Sequence, residues 1–155
     1  MSSFPPGVRH SFLTDLSVAG RKMRTLFDGK MKERGLTLSR ARALLYLSNN
    51  EAVSQTELAS VLEIEQPTVV RLLDGLEKQE LIERKAVDGD RRTKQICLTD
   101  KSQQQVSEIQ DIVDQMRRLL LADLTDDELV VASRVLNLLI RRIETTGQAP
   151  LEPAR

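Results

Sequence analysis

Apolar side chains recur at helical spacing along most of this chain, and the pattern breaks once, between Leu81 and Thr99. From His10 to Glu33, Phe12, Leu16, Ala19, Met23 and Leu26 step by 4, 3, 4 and 3, drawing one seam along a long helix that Gly35 ends. Thr37 caps a second helix, whose Leu38, Ala41, Leu44, Leu45 and Leu47 face the lobe that follows; Asn49-Asn50 closes it. Ser54 and Glu57 make a capping box, S-x-x-E, for a short helix with Leu58, Ala59 and Leu62 on one face. Glu63-Ile64-Glu65 leaves room for little more than a turn. Pro67, which has no amide to waste, then suits the first position of the next helix. In that helix Val69, Leu72, Leu73 and Leu76 face the core.

Leu81 to Ala86 and Lys94 to Thr99 read as two strands, with residues 87–93 as their loop and Asp88-Gly89 as the hairpin signal. Thr99 caps a further long helix, where Val106, Ile109, Val113, Met116 and Leu120 step by 3, 4, 3 and 4. Thr125 and Glu128 form a second capping box, and the helix they open repeats the step through Leu129, Ala132, Leu136, Leu139 and Ile143. The fold class predicted is mainly α with a small β-hairpin wing. A winged helix-turn-helix spans 37–99, and long helices flank it in 10–36 and 100–146. Residues 1–9, with two prolines and a glycine, read as an extended arm, and 147–155 as a tail.

That order of elements most often sets one helix in a DNA major groove. Opposite the apolar face of the second helix of the motif stand Gln66, Pro67, Thr68, Val70, Arg71 and Asp74. Arg71 has the fork for guanine, Gln66 the amide for adenine, and Thr68 suits a phosphate or a thymine methyl. The wing adds Arg84, Lys85, Arg91, Arg92 and Lys94 against Asp88 and Asp90, a basic tip suited to a narrow A·T-rich minor groove. Taken alone, Arg71 or the basic turn would read as solvated surface; in succession they read as a DNA interface.

Composition narrows the picture. The chain has 155 residues, enough for one domain with a real core, and its formal net charge is zero. Attraction to DNA is therefore local, at the wing and the recognition helix. No apolar run approaches membrane-spanning length and no signal peptide is visible, so the expected location is the cytoplasm. His10 and Cys97 are the only soft metal ligands and lie in distant segments; no metal and no cofactor are expected. There is no phosphate-binding glycine motif and no nucleophile–histidine pair, and Asp126-Asp127 suits a helix N-terminus; no enzyme is read here. Cys97 reads as a plain strand cysteine.

The run IEQPTVVRLLDGLE…LIER…DRRTKQICLT resembles the MarR family of bacterial transcription regulators, most nearly its SlyA-like branch, over about residues 10 to 145. The resemblance implies that Asp90 braces the wing by pairing with an arginine. It also implies that Arg92 reaches the minor groove with Arg91 beside it, and that Arg71 is the recognition-helix arginine. Members usually carry glycine where Glu80 stands, just past that helix. A glutamate kept in the left-handed conformation there would cost about 1 kcal/mol in backbone strain, so Glu80→Gly is expected to stabilise the fold.

One small lobe cannot easily cover three apolar seams, so the simplest partner is a second copy, with the terminal helices of two chains intertwined as the family implies. Many members bind a small anionic aromatic effector in a crevice between the dimer helices and the DNA-binding lobe, while SlyA-like members often act with weak or no ligand control; for an effector here, Arg21, Arg24, Arg42 and Tyr46 are the candidates to hold it. The expected function is thus a homodimeric, sequence-specific regulator on double-stranded DNA. The alternative is a winged-helix protein-interaction module that does not bind DNA, a reading that Arg71, Arg91 and Arg92 weigh against.

Overall fold

The computed structural model describes residues 7–87 and 90–147, apart from the side chains of Val87 and residues 90–93. The chain divides after Met116 into two compact units. In the first unit, α1 (Val8–Lys32) and α2 (Leu38–Asn49) lead to a two-residue strand β1 (Val53–Ser54). Helices α3 (Gln55–Leu62) and α4 (Gln66–Lys78) follow, then strands β2 (Ile82–Val87) and β3 (Asp90–Leu98). A 3-10 turn over Asp100–Ser102 opens α5 (Gln103–Leu120). The core is aliphatic: Leu44 of α2, Val53 of β1, Leu58 of α3, and Val69, Leu73 and Leu76 of α4 are wholly buried, with Met31 and Ile109. Leu72, expected in that core, is half-buried at its edge.

Three helices of this unit close alike. Gly35 (φ 70°), Glu63 (φ 56°) and Glu80 (φ 59°) each take the left-handed conformation. The apolar residue after each donates its amide five residues back: Leu36 to Met31 (3.0 Å), Ile64 to Ala59 (3.1 Å) and Leu81 to Leu76 (3.0 Å). This is the Schellman closure, in which a left-handed residue turns the chain and an apolar one drops into the core. Glycine is at ease there; the two glutamates are not. At Glu63 the closure makes the tight turn of the helix-turn-helix.

The hairpin is longer than the sequence suggests. β2 and β3 run through Val87 and Asp90, so residues 87 and 90–93, expected as loop, have extended backbone, with a register shift between Ala86 and Val87. The sheet also has a third strand that sequence reasoning missed: its order is β1-β3-β2, with Val53 opposite Ile96 and Ser54 opposite Gln95. Ser54 therefore serves two elements. Its hydroxyl caps α3 by accepting from the Glu57 amide (3.1 Å), but Glu57 turns its carboxylate to Tyr46, so only half of the expected capping box forms. Thr99, expected to cap the next helix, instead donates its hydroxyl to the Glu80 carbonyl (2.6 Å), and α5 begins four residues later. α1 already includes Val8 and Arg9, which were expected in the extended arm; residues 1–6 and the tail from Gln148 lie outside the described residues.

The second unit holds α6 (Asp126–Thr146). Its predicted capping box is complete: Thr125 Oγ1 accepts from the Glu128 amide, and a Glu128 carboxylate oxygen accepts from the Thr125 amide at 2.8 Å. That bond holds the Glu128 carboxyl below its ordinary pKa. No residue of α6 is buried within the chain; Val130, Leu138, Ile140 and Ile143 are each more than half exposed.

Candidate nucleic-acid interface

Helix α4 is amphipathic because its apolar residues fall at i, i+4 and i+7, on Val69, Leu73 and Leu76. Burying that stripe turns Gln66, Pro67, Thr68, Val70, Arg71 and Asp74 outward, and all six are exposed. Pro67 is the second helical residue, one later than expected, and Glu65 precedes the helix in extended backbone without a side-chain cap. The Glu65 carbonyl accepts the amides of Thr68 (2.9 Å) and Val69 (3.1 Å), and Pro67 has no amide, so the first turn of α4 is largely closed on its own backbone. Gln66 does not project alone: its Oε1 accepts from Nε2 of Gln55, the first residue of α3, at 3.2 Å. Arg71 makes no ion pair among the described residues and is exposed.

The wing divides its cations between two tasks. Arg84, counted with the basic tip from sequence, belongs elsewhere. It shares a strand face with Ile82 and lies opposite Ile96, so its side chain turns toward α4, where it pairs with Asp74 at 2.7 Å and with Glu77. Lys85 pairs with Glu83 at 2.6 Å, two residues away, which raises the lysine pKa. Lys94 stands exposed on β3 opposite Ala86. The side chains of Asp90, Arg91 and Arg92 lie outside the described residues; their backbone belongs to β3.

A crevice of about 480 Å³ opens among α1, α2 and α5. Met23, Phe27, Met31, Leu38, Ala41, Leu45 and Val113 give it an apolar lining, and Arg24, Arg42 and Glu63 are its charged residues. Arg24 sits 3.8 Å from Glu63. Arg42 donates to the carbonyls of Val61 (2.9 Å) and Leu62 (3.2 Å), satisfying the last turn of α3 with a cation. Two of the four candidates for an effector site are therefore on this crevice. The other two are not: Arg21 is no part of the lining, and the Tyr46 hydroxyl donates to Glu57 at 2.7 Å, tying α2 to α3.

Among the described residues no group of three His, Cys, Asp or Glu side chains is arranged to hold a metal, and no helix is long and apolar enough to cross a membrane. Cys97 is half-buried on β3 opposite Glu83.

A sequence profile of the MarR family matches residues 34–93, from the end of α1 to the wing. The transcriptional regulator PA3341 is 35% identical, with a TM-score of 0.80 over 86% of this chain and 98% of that one. MepR of S. aureus in complex with DNA is 26% identical, with a TM-score of 0.73 over 86% of this chain and 97% of its own. A MarR/EmrR family regulator from Acinetobacter sp. ADP1 shares the fold at 19% identity, with a TM-score of 0.78 over 89% of this chain and 98% of that one. The helix-turn-helix with its hairpin wing, the family profile and the likeness to PA3341 agree: this chain belongs to the MarR family of transcriptional regulators.

Proposed function

We propose that the protein is a homodimeric, sequence-specific DNA-binding regulator of the cytoplasm, nearest the SlyA-like branch. The observation that carries this is the exposed face of α4. It presents Gln66, Thr68, Val70 and Arg71 together, with Arg71 unpaired among the described residues. In this reading Arg71 and Gln66 read base edges while the Thr68 side chain meets a phosphate or a thymine methyl. Arg91 and Arg92, braced by Asp90, enter an A·T-rich minor groove, and Lys94 meets the backbone beside it. The likeness to MepR in its DNA complex supports the same docking.

The dimer rests on the apolar side chains that α1 and α6 leave exposed, among them Phe12, Leu13, Leu138 and Ile143. Two copies joined through them would set their recognition helices about 34–36 Å apart, one turn of a pseudo-palindromic site. The crevice suits a small aromatic carboxylate, its ring against Phe27 and Leu45 and its charge drawn to Arg24 or Arg42. Such a ligand must displace Glu63 or the α3 carbonyls from those arginines. It would lower DNA affinity only by preferring a dimer with differently spaced helices.

The test is binding to the upstream region of the protein's own gene and to a scrambled fragment, across a salt series. Preference for the native fragment with a steep negative salt slope is expected. Equal, weak binding to both fragments, and to a genomic library, would leave the protein-interaction module as the better reading.

A further inference from the structure

We propose that Arg84 is a positioning residue for DNA binding, locking the base of the wing to the recognition helix so that the two parts hold one angle. The inference rests on the DNA-reading function proposed above. Arg84 occupies a core-side position of β2, two residues after Ile82 and opposite Ile96, which are 2% and 3% exposed. Its own side chain is 18% exposed. A guanidinium drawn in that far is costly unless its charge is met. Here it is met twice: one terminal nitrogen lies 2.7 Å from Asp74 and the other pairs with Glu77, three residues on along α4. Bridging two carboxylates from two nitrogens uses the planar fork, which a lysine lacks.

The geometry gives this link its purpose. The chain passes from α4 to β2 through residues 79–81 alone, a turn with Glu80 in the left-handed conformation. The base of the hairpin is seated by Ile82 and Ile96 in the core and by β1 on β3; Arg84, farther along β2, ties the strand directly to α4. Asp74 and Glu77 are 58% and 40% exposed on the same helix that carries Arg71, so Arg84 also offsets one of two negative charges near the expected path of the DNA. Positioning and charge cancellation make different predictions, and the proposal is positioning.

The experiment is footprinting of the full-length protein on the upstream region of its own gene, at saturating concentration, with two probes. Hydroxyl radicals cut from the minor groove, and dimethyl sulfate methylates guanine N7 in the major groove. The variants are Arg84→Met, Arg84→Lys and the pair Asp74→Asn with Glu77→Gln. The proposal expects Arg84→Met and the paired variant to weaken binding roughly tenfold. Both should keep major-groove protection and lose that of the flanking minor groove, with Arg84→Lys between them and wild type. Joint loss of both protections, or retention of both, overturns it. So does recovery of wild-type affinity when Asp74→Asn and Glu77→Gln are added to Arg84→Met, since that would make charge cancellation the whole role. Should circular dichroism show Arg84→Met unfolded, the lysine and paired variants decide on the same criteria. A wild-type protein that leaves no footprint on any DNA would refute the DNA-reading function itself, a result distinct from all of these.

Discussion

The hydroxyl of Thr99 donates to the carbonyl of Glu80 at 2.6 Å, and the Thr99 amide donates to the carbonyl of Leu81 at 3.1 Å. The residue that ends the recognition helix is thus tied to the residue that ends the wing. Glu80 accepts this while holding a left-handed backbone that a glycine would adopt without strain. Glu80→Gly keeps both bonds, since each uses backbone atoms of residues 80 and 81. It gives up an ion pair to Lys101 between groups that are 76% and 58% exposed, which is worth little. The variant is expected to melt higher by about 2–4 °C. A lower melting temperature would mean that the Lys101 pair outweighs the strain.

The same pair sets a pH dependence. The hydrogen bond from Lys101 Nζ, at 2.6 Å, holds the Glu80 carboxyl below its ordinary pKa. A carboxylate lowered on folding stabilises the native state above its unfolded pKa and loses that contribution as pH falls through the folded value. The difference in melting temperature between wild type and Lys101→Met should therefore be present at neutral pH and close below the ordinary carboxylate range. A difference that is unchanged in acid would remove the ion pair from the account.

DNA contacts should separate by groove. Arg92→Ala is expected to weaken binding by about 1–3 kcal/mol and to leave the dimer intact. Arg71→Ala should relax base preference as well as affinity. Selection of binding sites from a random library would read both, and an unchanged profile for Arg71→Ala would take base reading away from that residue.

Tyr46 forms a strut between α2 and α3. Its hydroxyl donates to Glu57, which raises the phenol pKa and keeps it a donor through neutral pH. Tyr46→Phe should lower the melting temperature by on the order of 2 °C. It should leave salicylate-like ligands, if they bind, with unchanged affinity by calorimetry; a weakened affinity would return Tyr46 to the crevice.

The proposed dimer can be tested from α6. Ile143 is 62% exposed in one chain, so a charge there costs the isolated chain almost nothing. Under the proposed dimer, Ile143→Glu buries that charge and should halve the mass seen by sedimentation equilibrium. A variant that keeps the wild-type mass would move the interface elsewhere.

The sequence was most legible where structure is local. Thr125 and Glu128 cap each other across three residues, and both halves of that reading hold. The apolar stripe of α4 was equally plain, because a buried helix face repeats within two turns. Long-range partners were the blind spot. β1 is two residues long and exists because Ile96 and Gln95 pair with it, far along the chain. That strand occupies Ser54, and Tyr46 claims Glu57, so a local motif gave half of what it promised. Arg84 was miscounted because a tally of basic residues ignores strand alternation, which sets it on the face of Ile82. Of the four effector candidates, Arg24 and Arg42 line the single-chain crevice and Arg21 and Tyr46 do not, because a crevice is assembled from several helices and sequence alone does not fix which side chains meet there.

Under the proposed dimer, α6, a helix of 21 residues that buries none of its side chains within its own chain, would tie the protein's abundance to its assembly. A newly made chain at low copy number would present that helix to cellular proteases, and a paired one would hide it. Clearance then falls as the protein accumulates, so its steady-state level climbs faster than its rate of synthesis.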